Sequence, residues 1–239
     1  HRAMVALKEA VNDIVLSAER IEITCPLGTN LAGSVPEVER ENASEVTVKR
    51  FPLGVPQPVP AANFSGRVAL ARYLTPTGSM PYEPANCRID DTVMAIVESG
   101  RIIDFEGDAG SVAAVRQHYK TISDRFEIDP DCVHSWHAGI HPGCSYAGQI
   151  DDDPDRWSNN VFPHPRFLHF HTCGDYAPGE ICWMVLDPTI AIDGILLWEN
   201  GKLMTGNFDE TSIVTTRWPG LLDLLSAQNG LIGEDVQPR

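Results

Sequence analysis

Basic residues are scarce in this chain. Eighteen lysines and arginines stand against 33 aspartates and glutamates, a formal net charge of -15 over 239 residues. A nucleic-acid partner needs a basic face, so this balance argues against one. It argues equally against an anionic membrane surface. No apolar run approaches the ~18 residues needed to span a bilayer, and no secretory leader pattern is visible, so a cytoplasmic protein without a membrane partner is expected. The six cysteines contain no C-x-x-C pair, which speaks against a zinc ribbon or thioredoxin motif. They read as buried thiols rather than staples. Also missing are G-x-G-x-x-G, G-x-x-x-x-G-K and G-x-S-x-G, so no motif points to a dinucleotide, a P-loop nucleotide or a serine hydrolase.

What is present fits a soluble globular protein: 43% hydrophobic and 21% charged residues, in a length that allows one large domain. Apolar spacing predicts a helix over Met4–Arg20, then a strand at Ile21–Thr24 and a turn at Pro26–Asn30. Residues 30–62 are ambiguous, with a strand suggested at Glu45–Lys49 and an extended, proline-rich loop from Phe51 to Ala62. Further strands are expected at Gly66–Leu74, Asp131–Ser135, Phe167–His171 and Ile181–Leu186. Two hairpins are expected: Arg88–Val97 with Arg101–Phe105, and Ile190–Trp198 with Lys202–Met204 around an Asn-Gly turn. Helices are expected at Ser111–Phe126, with Ser111 as N-cap, and at Pro219–Ala227. Pro76–Pro84 and residues 136–165 read as irregular. Strands do not alternate regularly with helices, so the fold class is α+β, with mixed, hairpin-rich sheets and a few packing helices.

Histidine placement carries the chemistry. Six of eight histidines, His134, His137, His141, His164, His169 and His171, crowd into one short window, and imidazole is the commonest transition-metal ligand. His169 and His171 form an H-x-H pair on a predicted strand, where period-2 geometry points both rings to one face and Phe170 to the other, core-facing side. The alternative is two polar residues on a solvated face. His137 and His141 sit on a Gly- and Pro-bearing strand-to-loop segment, a setting shared by functional loops and by histidines that merely cap a turn. His118, inside a helix, reads as ordinary surface. Glu180 immediately precedes an apolar strand, and two histidines with one carboxylate would form the facial triad of non-haem Fe(II) oxygenases. Zinc hydrolases accept similar ligands. The Asp151-Asp152-Asp153 run reads as a solvated loop and helix start.

Several segments together resemble the aminopeptidase-T-like metalloenzymes, a group to which the 2,5-dihydroxypyridine 5,6-dioxygenases are similar. The segments are the opening helix with Ile21–Asn30, then Ala62–Val68, Val93–Gly107, Ala138–Pro142 and Leu186–Gly194. The resemblance implies an aminopeptidase-T-like C-terminal domain: residues 1–239 as a single catalytic domain, the C-terminal part of a longer chain. Two departures stand out. Arg67 occupies the slot where the peptidases place a metal-binding Glu, and Glu180 and Cys182 occupy the slots of a His-x-Asp pair. The reading that follows is a mononuclear metalloenzyme, a non-haem Fe(II) dioxygenase acting on a small aromatic or heteroaromatic substrate. His137, His171 and Glu180 would be ligands. His141, His169 and Tyr176 would be catalytic groups, and Arg67 would hold an anionic substrate group. The alternatives are a Zn(II)-dependent hydrolase or aminopeptidase, or a degenerate binding subunit without catalysis. A homo-oligomer is expected.

Overall fold

The computed structural model describes residues 1–37, 54–76, 82–175, 178–226 and 231–233. Tyr176, the Glu45–Lys49 strand and parts of the two proline-rich connections lie outside them. The first helix, α1 (Arg2–Ser17), buries Met4, Leu7, Val11, Ile14 and Val15, one stripe at helical spacing. It ends where Ala18 turns extended. The chain then runs through twelve strands. These are β1 (Ile21–Thr24), β2 (Asn30–Gly33), β3 (Val59–Pro60), β4 (Ser65–Leu74), β5 (Cys87–Glu98), β6 (Arg101–Glu106), β7 (Val133–Ala138), β8 (Phe167–Cys173), β9 (Glu180–Leu186), β10 (Thr189–Ile192), β11 (Ile195–Glu199) and β12 (Lys202–Leu203). Among the described residues four further α-helices follow, α2 (Ala109–Phe126), α3 (Pro154–Val161), α4 (Asp209–Arg217) and α5 (Gly220–Ser226), with a 3-10 turn at Ile150–Asp152.

Two sheets result, and every described pairing within them is antiparallel. The larger has the order β12-β11-β10-β1-β2-β4-β5-β6, and the smaller has the order β3-β7-β8-β9. This is the α+β class that the irregular strand and helix order implied. Both expected turns form hairpins, but the expected strand Ile190–Trp198 is broken at Asp193-Gly194 into β10 and β11, which pair with each other. Ser99-Gly100 and Asn200-Gly201 all take positive φ, the conformation of a tight primed turn. Gly100 is also required by contact, since a Cβ there would fall 2.7 Å from Ala62 Cα.

The sheets meet in two places: at β6 and β7, where Ile102 N–H donates to Asp131 O at 2.8 Å and Val133 N–H to Gly100 O at 2.9 Å, and at β4 and β9. Thr75, just past β4, bridges Cys182 in β9, with Cys182 N–H donating to Thr75 O at 2.8 Å. The small sheet therefore has two covered faces. One, with Trp136, Leu168, Phe170, Ile181, Trp183 and Val185, belongs to the main core. The other, with Phe167, Cys182, Met184 and Leu186, packs under Trp157 and Val161 of α3 and the adjacent Phe162 in a second cluster. All seven residues of β9 are buried in consequence.

Some sequence expectations need correction. The N-cap of α2 is Asp108, whose carboxylate accepts from Gly110 N–H at 2.8 Å and Ser111 N–H at 3.1 Å; Ser111 lies within the first turn. An acidic side chain there also meets the positive end of the helix dipole. His118 is buried, with 6% exposure, because α2 lays that face on β5 and β6. Residues 136–165 are less irregular than expected. β7 continues to Ala138, and α3 begins after Asp153, which accepts from Arg156 N–H at 2.9 Å.

Candidate metal centre

The site sits on the α3 side of the small sheet, against the second apolar cluster, to which Phe162 and Cys182 belong. Three neighbouring strands supply it. In register, His137 of β7 faces His169 of β8, and His171 of β8 faces Cys182 of β9. Side chains two apart on a strand share a face, so His169 with His171, and Glu180 with Cys182, project together. Two overlapping sets of donors follow: His137, His169 and His171, and His171, Glu180 and Cys182. Within each set the ligand atoms lie within 4.8 Å of one another.

The rings are tightly ordered. His169 is stacked between His137, at 4.9 Å and 17°, and Phe162, at 4.3 Å and 22° between ring centroids and planes. His169 and Glu180 are almost wholly enclosed, at 3% and 2% exposure. His137 and His171 keep partial exposure, so the approach from solvent lies on their side.

Electrostatics prepare the imidazoles for ligation. Burial lowers the pKa of His137 to about 4, against a smaller upward pull from its hydrogen bond to Pro56 O. His169 and His171 are pushed well below the ordinary value, first by burial and then by repulsion from the neighbouring histidines. All three are neutral near pH 7 and keep a lone pair, as a metal ligand must. The tautomer of His137 follows from its neighbour: Nδ1 lies 2.9 Å from Pro56 O, which can only accept, so Nδ1 carries the proton. Nε2 is left as the donor atom, the usual arrangement for a ligating histidine.

The remaining polar atoms are poorly satisfied. His171 Nδ1 touches Glu180 Oε1, but the contact lacks hydrogen-bond geometry. Glu180 Oε1, His171 Nε2 and His169 Nδ1 are all buried without a hydrogen-bond partner. Each such group costs about 1–3 kcal/mol, and a folded protein rarely gathers several in one place. A cation held by either donor set would satisfy part of this group, so the residues fit a metal ion.

The structure thus brings together four sequence-singled residues, His137, His169, His171 and Glu180. Among the described residues it does not bring in His141, Arg67, His134 or His164. His141 follows β7 and caps a turn, its N–H donating to Pro163 O at 2.8 Å and its Nδ1 accepting from Gly143 N–H at 3.1 Å. Arg67 is an exposed residue of β4, opposite Asn30 and Ile96 in the large sheet. His134 points elsewhere, with Nε2 2.8 Å from Cys173 O, and His164 Nδ1 accepts from Arg166 N–H at 3.0 Å. Cys182 was noticed only as a departure from a pattern. Its signal was the same period-2 spacing that marked the histidine pair. No disulfide links any cysteine among the described residues.

Fold and donors together define an α+β protein with a buried, histidine-rich cluster able to hold a metal ion. No protein-family model matches the sequence, and neither does any curated protein. Among solved structures the chain is similar to 2,5-dihydroxypyridine dioxygenase from Pseudomonas putida KT2440, with a TM-score of 0.59 and 11% identity. The match covers 88% of this chain and 61% of that one. At this identity the likeness is one of fold. Among the described residues, no helix is long and apolar enough to cross a membrane.

Proposed function

We propose that the chain is a metal-dependent enzyme, and specifically a mononuclear non-haem Fe(II) dioxygenase acting on a small aromatic or heteroaromatic substrate. The observation that carries the reading is the clustering of three neutral imidazoles and a carboxyl group, with His169 Nδ1, His171 Nε2 and Glu180 Oε1 buried without a hydrogen-bond partner. His137, His171 and Glu180 would hold the ion as two nitrogens and one oxygen. Bound there, Fe(II) would supply the redox chemistry that O2 requires and open positions for substrate. The chain's own part is to orient and enclose. Pro56 fixes the His137 tautomer, Phe162 and His137 clamp the His169 ring, and α3 excludes water from the far side. The fold shared with a dioxygenase supports the reaction class by analogy. Arg67 as a substrate-holding group remains part of the proposal, as does catalytic participation of His141 and Tyr176.

Metal analysis of protein prepared without chelator tests the reading. One iron per chain is expected, lost in His137→Ala and in His171→Ala. O2 uptake should then follow addition of a dihydroxypyridine or catechol-like compound from a small panel. Protein that holds no metal under any loading condition would sink the proposal. Tight zinc binding with hydrolysis and no O2 uptake would favour the hydrolase reading, for which the N, O and S donors of His171, Glu180 and Cys182 are suitable.

A further inference from the structure

We propose that Cys182 is itself a metal ligand, so that the ion sits between β8 and β9 with His171, Glu180 and the Cys182 sulfur as protein donors. The inference rests on the reading above only in that this cluster binds a metal; in the ligand set proposed there it puts Cys182 in place of His137.

Three observations carry it. The first is geometric. Cys182 lies directly opposite His171 in the β8–β9 ladder, and Glu180 is two residues away on the same face. Their ligand atoms fall within 4.8 Å of one another. Donors at about 2.1 Å for nitrogen or oxygen and 2.3 Å for sulfur around one tetrahedral ion stand roughly 3.5 Å apart, so small side-chain adjustments close the set. The Thr75 bridge pins the Cys182 backbone on the other edge, with N–H and C=O both engaged. The second is the unsatisfied carboxyl. Glu180 Oε1 is buried without a hydrogen-bond partner on the face it shares with Cys182. The third is donor chemistry. Imidazole, carboxylate and thiolate together form a donor set that divalent metals accept. Coordination by Cys182 would release the thiol proton to solvent. The thiolate and carboxylate together then neutralise the ion. His137, stacked on His169, stands on β7, across β8 from this position, and borders the solvent approach.

Cobalt separates the possibilities, because Co(II) reports its ligands by absorption. The protein, stripped and titrated with Co(II), is expected to develop visible d–d bands together with a near-ultraviolet sulfur-to-cobalt charge-transfer band. The latter should vanish in Cys182→Ser and survive in Cys173→Ala, the buried cysteine of β8. Cobalt affinity should fall about tenfold or more in Cys182→Ser. X-ray absorption on the cobalt-loaded wild type counts sulfur neighbours without any variant: one supports the proposal, none overturns it. Visible bands without the near-ultraviolet band, or a near-ultraviolet band that persists in Cys182→Ser, would overturn the sulfur ligand and leave the metal centre standing. Failure to bind cobalt at all would overturn both.

Discussion

Replacing Glu180 by glutamine separates a metal ligand from a structural carboxyl, because the two roles move stability in opposite directions. Glu180 is 2% exposed, its Oε1 has no hydrogen-bond partner, and the imidazole it touches is held neutral by burial. Without metal the side chain is therefore a cost. Glutamine keeps the shape and removes the acid, which should stabilise the metal-free protein by about 2 kcal/mol. For a domain of this size that raises the melting temperature by about 4–8 °C. Metal reverses the order. At a hundredfold excess over its dissociation constant, an ion adds about 2.7 kcal/mol to the wild type. If the variant binds a hundredfold more weakly, the same concentration adds only about 0.4 kcal/mol. Thermal melts of both proteins, with chelator and with added Fe(II) or Co(II), measure all four values. The expected pattern is a crossing: the variant melts higher without metal and gains little from it. A metal-free variant that melts several degrees lower, with an undiminished metal response, would refute the argument and make Glu180 a packing residue.

Other consequences are simpler to test. Burial holds the His118 pKa down from 6.5 to about 4, so the unfolded state binds the extra proton first. Stability is full above pH 6.5 and falls as pH drops toward 4, by an amount on the order of 3 kcal/mol. In His118→Gln the denaturation midpoint should decline less over that range, and parallel pH curves would contradict this. Tyr119 joins α2 to the back of the small sheet: its hydroxyl accepts from Trp183 Nε1 at 2.6 Å and lies 2.5 Å from Thr172 Oγ1. Tyr119→Phe leaves the indole N–H without that acceptor and should cost about 1–3 kcal/mol, seen in chemical denaturation. Arg67→Ala should leave metal content unchanged, as its exposed place in the large sheet requires, and a drop in bound metal would place Arg67 in a different role.

What could be read from the sequence was whatever local chemistry specifies. Asn200-Gly201 and Ser99-Gly100 fix their hairpins through turn conformation alone, and the H-x-H pair fixes its own common face. The opening helix announced its buried stripe. Short elements without alternation escaped: β2 matches β1 in length but lacks its alternating burial, and β3 has only two residues. α3 was hidden by its own start, where Asp153 and Pro154 read as a polar turn although they are a cap and a first-turn proline. His118 was misplaced because its burial depends on which strands α2 covers. The site was half legible for the same reason. His169 with His171 share one strand, whereas the meeting of His171 with Cys182 depends on strand register, which the sequence does not display.

The complete burial of β9 has a kinetic consequence. A strand enclosed on both faces and paired along β8 belongs to the part of a molecule that opens last, so its amides should exchange with solvent only through global unfolding. Glu180 and Cys182 ride on that slowest unit, whereas His137 and His171 border solvent. A chelator should then withdraw the ion from the histidine side without loosening the scaffold. The emptied protein should keep the amide-exchange protection of β9, ready to be refilled without refolding.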